Sequence, residues 1–92
     1  MKREFTKEMV DKVLEANEQV KGTAVYGAYY VPFEAKTNGK WHLIGWGVAN
    51  RAGIIKKGRN NTLYVYYTDG YGNEYRYELR HIFIDMFNLE VA

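Results

Sequence analysis

Ninety-two residues with a net charge of +2, 26% of them charged, describe one small globular domain spanning 1–92 and not a disordered tail. The chain has no cysteine, which excludes disulfides and thiolate metal sites and suits a reducing cytoplasm. No apolar run approaches the roughly 20 residues of a membrane-spanning helix, and the charged opening Met1-Lys2-Arg3-Glu4 leads into an amphipathic pattern, not a signal-peptide core.

The first expected element is a helix. Thr6 is placed to cap it, with Phe5 before it positioned to pack on Val10. Met9, Val10, Val13, Leu14, Asn17 and Val20 share one face at helical spacing. Glu8 and Lys12 form a favourable i,i+4 pair, and Lys21-Gly22 supplies the stop.

From Thr23 to Asn50 the pattern predicts a β-hairpin around Asn38-Gly39, a dipeptide suited to a type I′ turn. If Thr37 faces Lys40, an unbroken register sets Phe33 against Ile44, Val31 against Trp46 and Tyr29 against Val48, all on one apolar face. The other face then opposes Tyr30 to Gly47 and Pro32 to Gly45. Pro32 points to an edge strand, because it has no ladder donor. His42 falls on the core-side parity and reads as a partly buried structural histidine.

Residues 51–61 join two hairpins, as a helical turn capped by Asn50 and stopped by Gly58 or as a short strand at Gly53–Lys56. The second hairpin lies in Asn60–Arg80, which holds six of the nine tyrosines. A loop of Tyr71–Asn73 or Asp69–Asn73 places Leu63, Val65 and Tyr67 on the face of Tyr75, Tyr77 and Leu79. Tyr64 and Tyr66 are left on the face of Glu74, Arg76 and Glu78. The tail from His81 fits helix and strand equally. The expected fold is therefore α+β: an N-terminal helix on an antiparallel sheet of about four strands, with a short C-terminal helix or strand.

Several chemistries are poorly served. Serine is absent, so with no cysteine the usual nucleophiles are missing. His42 and His81 have no metal-ligand spacing. Gly45-Trp46-Gly47 lies within a predicted antiparallel strand and lacks the third glycine of a dinucleotide fingerprint. Gly53 to Asn60 has the glycine spacing of a phosphate loop, but Arg59 and Asn60 stand where lysine and a hydroxyl residue belong. No enzyme, cofactor or metal is expected.

A non-catalytic role fits better. Between Glu34 and Asp69 the chain has no acid, yet it carries Lys36, Lys40, Arg51, Lys56, Lys57 and Arg59. A basic loop with Arg51, Lys56, Lys57, Arg59 and Asn60 can hold phosphate, while Tyr64, Tyr66 and Arg76 can stack on a base. This gives a binding protein for a nucleotide or nucleic acid. The alternative is a small accessory inhibitor working by protein–protein contact, such as a phage-encoded counter-defence protein, since Tyr, Trp and Arg dominate interface hot spots. The thin core of so short a chain also favours a homodimer.

Overall fold

The computed structural model describes residues 3–23 and 29–89. Its elements in chain order are β1 (Arg3–Phe5), α1 (Lys7–Val20), β2 (Tyr30–Thr37), β3 (Lys40–Val48), β4 (Gly53–Lys57), a 3₁₀ turn (Arg59–Asn61), β5 (Leu63–Thr68), β6 (Glu74–Glu78) and α2 (His81–Phe87). The class is α+β as expected, but the antiparallel sheet has six strands in the order β1-β4-β5-β6-β2-β3, not about four. The two additional strands are short. β1 consists of three residues ahead of the helix, and β4 is the basic connecting segment, which takes the strand alternative at Gly53–Lys56 and not the helical turn.

The helix forms as its caps dictate. Thr6 Oγ1 accepts from the Met9 amide at 3.3 Å, Gly22 takes a φ of 85° after the C-cap, and Lys12 Nζ lies 4.0 Å from Glu8. Val10, Val13 and Asn17 face the sheet, with Met9, Ala16 and Val20 at the margins; Leu14 is turned out. α2, ended by Asn88 in the left-handed conformation, adds Phe83 to the same layer.

Both helices cover one sheet face. Phe5, Val31, Ile55, Leu63, Val65, Tyr77 and Leu79 are buried there. Edge-on ring contacts join Phe5 to Tyr77 and Phe87, and Tyr29 to Phe83, at centroid separations of 6.3, 5.6 and 5.4 Å. Such contacts add to plain area burial. The phenol of Tyr77 donates to the Arg51 carbonyl at 2.5 Å, tying the β3–β4 connection to the core.

The second hairpin forms as its pattern requires. Tyr67 pairs with Tyr75 and Thr68 with Glu74 across a five-residue loop, Asp69–Asn73. Asp69 organises that loop. Its Oδ1 accepts from the Tyr71 and Asn73 amides at 2.8 and 3.0 Å, and its Oδ2 from Asn73 Nδ2 and the Tyr75 phenol. These donors, Asn73 first, hold the carboxyl below its ordinary pKa.

The first hairpin departs from expectation at one point. Asn38 and Gly39 both have positive φ, and Thr37 pairs with Lys40 as predicted. The ladder then runs regularly to Glu34–Leu43, skips Ile44, and resumes at Phe33–Gly45. Ile44 is the extra residue of a β-bulge, and Gly45 follows it. Every pairing beyond the bulge is shifted by one: Pro32 with Trp46, Val31 with Gly47 and Tyr30 with Val48. Trp46 thus lies on the face away from the helices and is 52% exposed, not buried beside Val31. The glycine that lies under an aromatic ring is Gly47, where an added Cβ would meet Phe33 at 3.5 Å.

Three smaller expectations also change. β2 is an interior strand between β6 and β3, and Pro32 is tolerated because the ladder to β6 covers only Phe33–Ala35. His42 pairs with Ala35 beyond the reach of the helices and is exposed. The tail resolves as helix, and residues 24–28, within the predicted first strand, lie outside the described residues.

Candidate functional site

The sheet face opposite the helices carries the alternate residue of each strand. One cross-strand row reads Ile54–Tyr66–Arg76–Glu34–Leu43 from β4 to β3. Lys56 beside Tyr64, Lys36 beside Trp41, and Pro32 beside Trp46 lie on the same face. Neither helix covers these residues, which settles where Tyr64 and Tyr66 sit: half-buried among each other, on the open face.

Arg76 is the centre of this surface. Its Nε and Nη2 donate to the two carboxylate oxygens of Glu34 at 3.2 and 3.1 Å, and Nη1 donates to the Tyr66 phenol at 3.3 Å. The guanidinium carbon lies 4.2 Å from the Tyr64 ring centroid and 4.4 Å from that of Trp41. A planar cation held by a bidentate carboxylate, a phenol and two rings within cation–π range is well compensated for its burial. Arg76 is accordingly buried. Burial works to lower its pKa, but the Glu34 and Tyr66 hydrogen bonds prevail and hold it above the ordinary value. Burial likewise raises the Tyr64 phenol, against the pull of Arg76.

Around this centre lie cations of a different kind. Lys56 Nζ sits 4.5 Å over the Tyr66 ring, and Arg80 stands 5.7 Å over Trp46. Lys40 and Arg59 border, with Trp41, Tyr64, Glu34 and Arg76, an open hollow of about 420 Å³. Among the described residues, no carboxylate lies within ion-pair distance of Lys40, Lys56, Arg59 or Arg80, whereas Lys36 is 3.8 Å from Glu74.

No family model, curated protein or solved structure matches the chain.

Of the residues expected to bind, Lys56, Arg59, Tyr64, Tyr66 and Arg76 come together on the open face. Arg51, Lys57 and Asn60 do not join them. Arg51 gives its carbonyl to Tyr77 and its charge to Tyr67 on the helix side. Lys57 alternates with Lys56 and pairs opposite Leu63, so it belongs to the other face of the sheet. Asn60, at a φ of 57°, shapes the turn after β4 and borders a separate hollow with His81 and Ile84. The amides of a phosphate-cradling loop are also not on offer in this segment, because β4 is paired with β1 on one side and β5 on the other.

Sequence reasoning missed Glu34, Lys40, Trp41, Trp46 and Arg80. Nothing in the sequence marks Glu34 as the partner of Arg76, because only the pairing of β2 with β6 brings the two together. Gly58 belongs to the site as well: a Cβ there would meet the Tyr64 ring at 2.5 Å, so only glycine lets that ring lie down beside Arg76. Among the described residues, no group of three or more His, Asp or Glu side chains is placed to hold a metal ion, and no helix is long and apolar enough to cross a membrane.

Proposed function

We propose that this protein is a non-catalytic binding module whose open sheet face takes up a phosphate-bearing aromatic ligand, a nucleic acid or nucleotide. One observation carries the reading: the half-buried rings of Trp41, Tyr64 and Tyr66 lie on a sheet face that neither helix covers, bordered by Lys40, Lys56 and Arg59, none of which is ion-paired among the described residues. Rings offer bases a stacking partner of any sequence, and unpaired cations favour phosphate. Arg76 is committed to Glu34, so its role is to hold the rings and not to meet the ligand.

A second reading has its own support. Leu43, Trp46 and Ile54 are 59%, 52% and 38% exposed on this face, a pattern that also suits an inhibitor docking on a protein target. Titration with a nucleotide panel and mixed oligonucleotides distinguishes the two. Binding that weakens when Lys40, Lys56 and Arg59 are changed to glutamine, with the fold intact, supports the first. Absence of binding up to millimolar ligand, together with recovery of a defined protein complex, replaces it with the second.

A further inference from the structure

Resting on the reading above, we infer that the ligand is single-stranded nucleic acid lying across the sheet, with Trp46 and Arg80 forming a second subsite distinct from the Trp41–Tyr64 hollow. The residues of the open face form a track. Lys56 over Tyr66 lies at the β4–β5 end, the Arg76 cluster in the middle, and Arg80 over Trp46 at the β3 end. From β4 to β3 there are four strand intervals in the sheet order, about 19 Å at about 4.8 Å each. That span is longer than one nucleotide and suits a strand that lays successive bases on successive rings.

The shape of the face points the same way. Pockets for free small molecules enclose most of the ligand. Here the Trp41–Tyr64 hollow is bordered only by strand and turn residues, and neither helix closes over it. The cations without an ion-pair partner among the described residues are also distributed: Lys56 on β4, Arg59 in the turn after it, Lys40 at the start of β3, and Arg80 after β6. Spacing of this kind matches successive phosphates along a chain and not the joined phosphates of one nucleotide. The Arg80 guanidinium, 5.7 Å over the exposed Trp46 ring, has no carboxylate within ion-pair distance among the described residues. A duplex would keep its bases stacked on one another and out of reach of Trp41, Trp46 and Tyr64, so the rings select for single strands.

Fluorescence anisotropy with labelled DNA and RNA single strands of about 12 nucleotides, inside the range a single small module covers, tests this beside a labelled duplex and a labelled mononucleotide. The single strands should bind at least about ten-fold tighter than either. Trp46→Ala should weaken single-strand binding by at least about five-fold, the loss of one stacked base, and leave mononucleotide binding unchanged. Arg80→Gln should make the log-log salt dependence shallower by about 0.7, one phosphate contact on a single strand. Circular dichroism confirms that each variant is folded. Equal affinity for single strand and duplex, equal affinity for single strand and mononucleotide, or no effect of Trp46→Ala on the oligonucleotide overturns this inference while the binding reading stands. Absence of binding by any of the four probes overturns both.

Discussion

Glu34→Gln probes the centre of the open face with a change of one atom. It removes the charge that neutralises Arg76 while keeping the side chain's shape. Breaking a fully buried ion pair by removing one partner costs about 3–5 kcal/mol. Here the two side chains retain 10% and 19% of their exposure, a glutamine oxygen can keep one hydrogen bond, and the Tyr64 and Trp41 rings still face the cation. The expected loss is therefore about 2–3 kcal/mol. At about 2.1 cal/mol/K per residue, 92 residues unfold with an entropy of about 0.19 kcal/mol/K, so Tm should fall by about 10–15 °C. Differential scanning calorimetry of the parent and variant measures it. In an Arg76→Met background the same substitution should be neutral or stabilising, because the carboxylate there has no cation to serve. A loss below about 0.5 kcal/mol, or an equal loss in both backgrounds, would show that Glu34 is not the counter-charge of Arg76.

Gly58→Ala should cost about 1–3 kcal/mol in urea denaturation, as overpacking against Tyr64; in a Tyr64→Ala background the penalty should largely vanish, and an undiminished penalty would mean the clash lies elsewhere. Asp69 has a depressed folded-state pKa, so its contribution is present above the unfolded value near 3.8 and is lost as pH falls through the folded one. The parent should then be more stable than Asp69→Asn at pH 6, with the gap closing below about pH 4. Stability curves that stay parallel down to pH 2 would remove Asp69 as the organiser of its loop.

Much of this architecture was legible in local chemistry. Thr6, Asn38-Gly39 and the alternation on either side of Asp69–Asn73 each act within a few residues, and the helix, the first turn and the second hairpin follow from them. The bulge at Ile44 was not legible, because one extra residue leaves the hydrophobic pattern of each half-strand intact and merely offsets the halves. That offset moved Trp46 from the expected core to the open face. β1 escaped notice because three residues carry no periodicity, and β4 stayed open between strand and helical turn because a five-residue segment fits either.

The candidate site was half visible for a similar reason. Tyr64, Tyr66 and Arg76 share a hairpin, so their common face is a local consequence of parity. Glu34 is 42 positions from Arg76, and only the pairing of β2 with β6 brings them together. Lys56 and Lys57, adjacent in sequence and expected to act together, are divided by the alternation of the strand they occupy.

The placement of the two indoles bears on how this molecule can be observed. Trp41 and Trp46 both belong to the open face, and no tryptophan contributes to the packed layer beneath the helices. Tryptophan emission therefore reports on the surface around Arg76 and Arg80, while the packed layer is visible optically only through tyrosine and phenylalanine. A probe that excites indole alone will report what happens at that surface separately from the loss of the core. The half-buried Trp41 and the exposed Trp46 should differ in emission wavelength and in accessibility to iodide, giving the Arg76 cluster and the Arg80 end of the face separate optical labels without any added dye.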